Sequence, residues 1–78
     1  MMSKKSLLKE IKQIFQNELN IKVNDKSKIY DFEAWDSLGN FNILLNCEKK
    51  FKIKFNSGEF SRLNSVKEIV KIIEKKNK

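Results

Sequence analysis

Seventy-eight residues carry 17 lysines and arginines against 10 aspartates and glutamates, a formal charge of +7, and 40% of the chain is apolar. That length allows one domain around a small core and leaves no room for a separate substrate-binding domain. The absence of histidine and the single cysteine, Cys47, exclude Ser-His and Cys-His nucleophile pairs, the usual zinc clusters and an internal disulfide. A carrier, adaptor or binding module is expected, and not an enzyme.

Met1 to Lys5 is basic, but only Leu7-Leu8 follows before Lys9-Glu10, so neither a signal-peptide core nor a membrane span is read here. A cytoplasmic monomer without stable membrane insertion is the expectation. From about Lys4 to Leu19, Leu7, Leu8, Ile11, Ile14, Phe15 and Leu19 recur at spacings of three and four, which predicts an amphipathic helix with Lys9, Lys12, Gln13 and Gln16 outside the stripe. Periodicity then fails from Asn20 to Trp35. The turn formers Asn24, Asp25 and Ser27 alternate with apolar anchors at Ile21, Val23, Ile29, Tyr30 and Phe32, and the reading is a long loop pinned across the helix ends. Trp35 is read as a hydrophobic anchor beside the next helix start, in preference to a contact for a bound group.

A second helix is predicted over about Ser37 to Lys50, with Leu38, Phe41, Leu44 and Leu45 on its apolar arc and Cys47 at the border. Gly39, Asn42, Asn46 and Lys49 would then share the solvent side. Asn56-Ser57-Gly58-Glu59 is a capping-box pattern for a short third helix, about residues 57–62. Ser65-Val66-Lys67-Glu68 reads as a better box, opening a last helix over about 65–76 on Val66, Ile69, Val70 and Ile73. Lys75, Lys76 and Lys78 suit the negative end of its dipole. The fold class is all-α: one domain over 1–78, a small four-helix bundle with a long first loop and a short third helix.

The most informative tripeptide is Asp36-Ser37-Leu38. A helix start offers unpaired N–H groups and the positive end of the macrodipole, so a phosphodiester on Ser37 would sit in a favourable field. The Asp36 carboxylate beside it suits a Mg²⁺ brought by a modifying enzyme. Taken alone, the tripeptide reads more simply as a helix cap. The order that follows is apolar helix, Phe51-x-Ile53-x-Phe55, a polar segment with Phe60 and Leu63, then Ser65-Val66 and a last amphipathic helix. This order closely resembles acyl and peptidyl carrier proteins.

The resemblance implies a fold of acyl-carrier type, with Ser37 carrying 4′-phosphopantetheine donated by coenzyme A, Asp36 as its acidic neighbour and Leu38 packed beneath it. It implies a phosphopantetheinyl transferase as partner, together with enzymes that load and transfer acyl or aminoacyl groups held on the arm as thioesters. The second helix would be the docking surface, here Gly39, Asn42, Asn46 and Lys49. Phe41, Leu44, Phe60 and Leu63 would wall an acyl pocket, their simpler reading being ordinary core. Family members commonly place acids on that helix, and this chain has Gly39, Asn40 and Asn42, then Glu48, Lys49 and Lys50. Steering toward a basic partner would therefore be weak, which points to a specialised lipid, polyketide or surface-glycan pathway. Sixteen of the 17 basic residues are lysine, which compositional bias alone also produces.

Two other classes compete. The +7 charge fits a small basic helical nucleic-acid-binding protein, but the lysines are spread over every segment and only Arg62 offers a bidentate fork, so no nucleic acid is expected as partner. The last helix could instead lie on an anionic membrane, at the cost of removing its apolar face from the core.

Overall fold

Apolar residues three and four apart close into one core in the computed structural model, which describes residues 4–76. Met1 to Ser3 and, at the far end, Lys78 lie outside the described residues. Four helices follow in chain order: α1 Lys4–Leu19, α2 Ser37–Phe51, α3 Ser57–Arg62 and α4 Val66–Lys76. The expected all-α, four-helix class is what the chain adopts.

The first helix packs against both α2 and α4. It buries Leu7, Ile11, Ile14 and Phe15, while α4 contributes Val66, Ile69, Val70 and Ile73 from its own stripe. Each fully buried side chain of this kind contributes roughly 1.5–3 kcal/mol of transfer free energy. The short α3 holds its shape through its cap. Asn56 Oδ1 accepts from the Glu59 amide at 2.8 Å and Glu59 Oε1 accepts from the Asn56 amide at 2.9 Å, a complete capping box. At α4 the expected box closes only one backbone bond. Ser65 Oγ accepts from the Glu68 amide at 3.2 Å, and the Glu68 carboxylate turns to the Ser65 hydroxyl at 3.1 Å instead of a backbone amide.

The loop over residues 20–36 is a hydrogen-bonded structure in its own right. Ser27, buried, accepts the Asn24 amide on its hydroxyl, and Asp31 Oδ2 accepts the Lys28 amide at 3.0 Å. An antiparallel bridge pairs Lys28 with Ser65, through Ile29 N–H to Asn64 O and Val66 N–H to Ser27 O. Of the expected anchors, Val23 is buried and Ile21, Ile29 and Phe32 are half-buried against the core. Tyr30 is not an anchor. It is 68% exposed, with a left-handed backbone at φ 72°.

The largest correction concerns which face of α2 turns inward. Gly39, Asn40, Ile43, Leu44, Cys47 and Phe51 are buried, whereas Leu38 and Phe41 are 69% and 46% exposed. Of the arc expected through Leu38, Phe41, Leu44 and Leu45, only Leu44 is buried and Leu45 is half-buried, and the inward face is turned by more than about 100° from that arc. Trp35 causes the rotation. It is fully buried, meets Phe15 edge-on at 4.6 Å between ring centroids, and donates its indole Nε1–H to Asn40 Oδ1 at 2.9 Å. Asn40 Nδ2 in turn donates to Leu63 O at 2.9 Å, so this polar residue must face the interior.

Two outcomes follow. Asn40→Ala strands the indole N–H and the Leu63 carbonyl, and chemical denaturation is expected to show a loss of about 1–3 kcal/mol for each group left without a partner. The second concerns acid. The Asn56 amide, and then Lys76 at 3.1 Å, hold the Glu59 carboxyl below its ordinary value. A carboxyl depressed in the folded state contributes stability that is complete above the ordinary glutamate value of about 4.3 and lost as pH falls through the folded-state value. Glu59→Gln should therefore melt lower than the native chain at pH 7, the gap closing in acid.

Candidate attachment site

Ser37 is the first residue of α2, and its position follows from the cap before it. Asp36 is extended, at φ −101° and ψ −168°, and its Oδ1 accepts the Gly39 amide at 2.8 Å, while its carbonyl accepts from Asn40 at 2.8 Å. Asp36 is thus the cap, which leaves the Ser37 hydroxyl exposed and free of that duty. The Ser37 and Leu38 amides have no carbonyl one turn earlier to bond within the helix. A hydroxyl, two amides and the positive end of a 15-residue helix therefore meet at one place.

The backbone approach that sets this helix start requires glycine. A Cβ on Gly39 would lie 2.5 Å from the Ala34 carbonyl oxygen and 3.3 Å from the Leu19 side chain. Gly39 is buried under the loop and is not part of a solvent-facing docking side. Asn42 and Asn46 are half-buried and Lys49 is exposed. Asn46 Nδ2 donates to Glu18 Oε1 at 2.8 Å and to Asn42 O, and Lys50 pairs with Glu10 at 3.1 Å, so this side of α2 is a polar groove shared with α1.

Leu38 does not pack beneath Ser37. It projects with Phe41 from the first turns of α2 as exposed apolar surface. Of the four expected pocket residues, Leu44 and Leu63 are core and Phe41 lies on Phe60, with ring centroids 5.2 Å apart. Phe60 meets Phe55 edge-on at 5.9 Å, which makes a run of aromatic rings from the surface into the core between α2 and α3.

Two features of the neighbourhood escaped the sequence reading. Tyr30, seven residues upstream, places its hydroxyl 2.9 Å from Ser37 Oγ. No lysine or arginine lies between Lys28 and Lys49, and that interval holds Asp31, Glu33, Asp36 and Glu48. Asp31, Glu33 and Asp36 therefore lie on the segment leading to Ser37, with Lys28 paired to Asp31 at 3.3 Å, and Glu48 lies about three turns along α2. This second signal was legible as a gap in the lysine pattern; the first needed the loop's path. Cys47 is buried more completely than its border position implied. Burial, reinforced by the neighbouring Glu48, pushes its thiol up to about 12.

No family model matches the chain. Among curated proteins it is 33% identical over 79 positions to an acyl carrier protein of Brachyspira hyodysenteriae, covering 94% of this chain and 99% of that one. An acyl carrier protein of Buchnera aphidicola is 34% identical over 77 positions, covering 94% and 95%. Both matches run over nearly the whole of this chain. The chain belongs to the acyl carrier protein family. A third relative, the acyl carrier protein of Thermotoga maritima, is 27% identical across 97% of this chain. Acyl carrier proteins are carriers and not enzymes, which accords with the sparse catalytic inventory. Among the described residues no helix is long and apolar enough to cross a membrane, and no cluster of three metal-ligating side chains occurs.

Gly39→Ala is expected to push the 34–36 segment off α2 at a cost of about 1–3 kcal/mol, read as a lowered denaturation midpoint. Cys47 should resist thiol reagents in the folded carrier and react fully in denaturant, so a thiol titration of the native apo chain is expected to read near zero.

Proposed function

We infer that Ser37 is the residue to which 4′-phosphopantetheine is joined, and that this carrier presents acyl or aminoacyl groups as thioesters on that arm. The observation that carries the reading is the exposed Ser37 hydroxyl on the first residue of α2, released from capping by Asp36, in a chain of this family. The residues present fit the group. An ester to phosphate needs one accessible hydroxyl, and the adjoining amides and helix dipole favour the charge of the diester.

In the transfer, Ser37 Oγ attacks the phosphorus next to pantetheine in coenzyme A. An Oγ–P bond forms, the pyrophosphate P–O bond breaks, 3′,5′-ADP leaves, and the serine proton passes to a base on the phosphopantetheinyl transferase. Asp36 is the residue beside the hydroxyl whose carboxylate would help a transferase hold a Mg²⁺ brought with coenzyme A. The arm's terminal thiol supplies the thioester chemistry, and Cys47, buried and protonated, does not compete with it.

Docking falls to Leu38 and Phe41, with Asn42, Asn46 and Lys49 farther along α2. The local acids at Asp31, Glu33 and Asp36 orient this end toward a basic partner surface at short range, and the lysines elsewhere repel such a partner at long range. That combination supports loading and transferring enzymes particular to a specialised lipid, polyketide or surface-glycan pathway, met by a cytoplasmic monomer. A substrate chain would enter between α2 and α3 by parting Phe41 from Phe60.

The test is intact mass after incubation with coenzyme A, Mg²⁺ and a broad-specificity phosphopantetheinyl transferase. The native chain is expected to gain one phosphopantetheine group and Ser37→Ala none. A folded native chain that gains nothing, or binds DNA or RNA tightly at physiological salt with indifference to Ser37→Ala, would contradict the reading.

A further inference from the structure

The geometry points to Tyr30 as a positioning residue for Ser37: its phenol holds the serine hydroxyl in one rotamer before the arm is attached and donates a hydrogen bond to the phosphodiester afterwards. This rests on Ser37 being the attachment site.

Tyr30 contributes little to the core. It leaves 68% of its surface in solvent, and yet its backbone sits at φ 72°, a region that costs a bulky residue conformational energy. Two bonds impose that backbone. The Tyr30 amide donates to Trp35 O at 2.8 Å, and the turn from Lys28 to Asp31 is closed by the Asp31 amide on Lys28 O at 3.0 Å. Trp35 is itself fixed from within by Asn40. The left-handed turn therefore sends the phenol along α2's first residue, where its oxygen lies 2.9 Å from Ser37 Oγ.

A serine hydroxyl and a phenol each carry one proton and acceptor lone pairs, so in the apo chain either can donate. An exposed serine without such a bond spreads over three staggered wells, and roughly a third of the molecules present any one of them. With the phenol in place one well is favoured. Transfer then fixes the direction of the bond. Esterification removes the serine proton, so only Tyr30 remains to donate, and its acceptor becomes part of an anionic diester, which strengthens the bond. The first bonds of the arm are thereby restrained beside the loop instead of rotating freely.

Native chain, Tyr30→Phe, Tyr30→Ala and Ser37→Ala are compared at full length. In the apo proteins, the Ser37 Hα–Hβ couplings measured by NMR are expected to report one rotamer in the native chain and an average in Tyr30→Phe. During loading, Tyr30→Phe should still reach one group per chain, with kcat for transfer lowered about three- to tenfold and KM unchanged, because phenylalanine keeps the ring. In the loaded proteins the ³¹P resonance of the diester should move between native and Tyr30→Phe. Tyr30→Ala, which also removes the ring, separates a docking contact, read as raised KM, from the hydroxyl's effect. Rotamer averaging already present in the native apo chain, or identical kcat and ³¹P shift in Tyr30→Phe, overturns the assignment of Tyr30 and leaves Ser37 intact. Failure of the native chain to load, or loading of Ser37→Ala, overturns the attachment site and this inference with it.

Discussion

A single buried amide ties the loop, the second helix and the α3–α4 junction together. Asn40 accepts the Trp35 indole proton on one side and donates to the Leu63 carbonyl on the other, each at 2.9 Å, with almost no solvent access. In a core this small an unmade bond at that point is expensive, since each buried polar group left alone forfeits its hydration without return. The bond also dictates rotation. With Asn40 and Trp35 facing inward, Gly39 must lie under Ala34 O, Asp36 becomes the cap, and Ser37 is carried to the surface one residue later. The exposed serine is thus the outer end of an ordered interior.

Electrostatics divides the molecule differently from its net charge. A formal +7 suggests a uniformly basic surface, but the run from residue 29 to residue 48 has no basic side chain and four acids. Asp31 is drawn down from its ordinary value by the Lys28 amide and then by the Lys28 side chain, so it stays ionised within this run. A partner approaching Ser37 meets acids, amides and the apolar pair Leu38 and Phe41, while the lysines of α1, α4 and the 49–54 segment set the far field. Far-field steering is salt-sensitive and contact at the serine much less so.

The helices were legible because their stripes are made of ordinary aliphatic and aromatic residues at spacings of three and four, as in Leu7, Ile11, Ile14 and Phe15 or Val66, Ile69, Val70 and Ile73. The Asp36-Ser37-Leu38 start was legible for the same local reason. The face of α2 was not. A stripe drawn from apolar residues alone runs through Leu38 and Phe41, and it fails where a polar residue, Asn40, and a glycine hold the interior positions. Nor could the Tyr30 contact be read. It spans seven residues through a left-handed backbone that depends on Trp35, which depends on Asn40, and no periodicity carries that information. Ser65-x-x-Glu68 and Asn56-x-x-Glu59 show the limit of pattern alone, since both match the box and only the second closes it.

Trp35 is the only tryptophan, so its indole proton gives one unambiguous resonance. Hydrogen exchange of that proton measures directly whether the loop belongs to the rigid body that presents Ser37. If the Trp35–Asn40 joint organises the site, the indole proton exchanges only with global unfolding, at a rate matching the slowest amides of α1 and α4. Exchange at the rate of a free indole, with those helix amides still protected, would show a loop that opens independently of the core and would contradict the account.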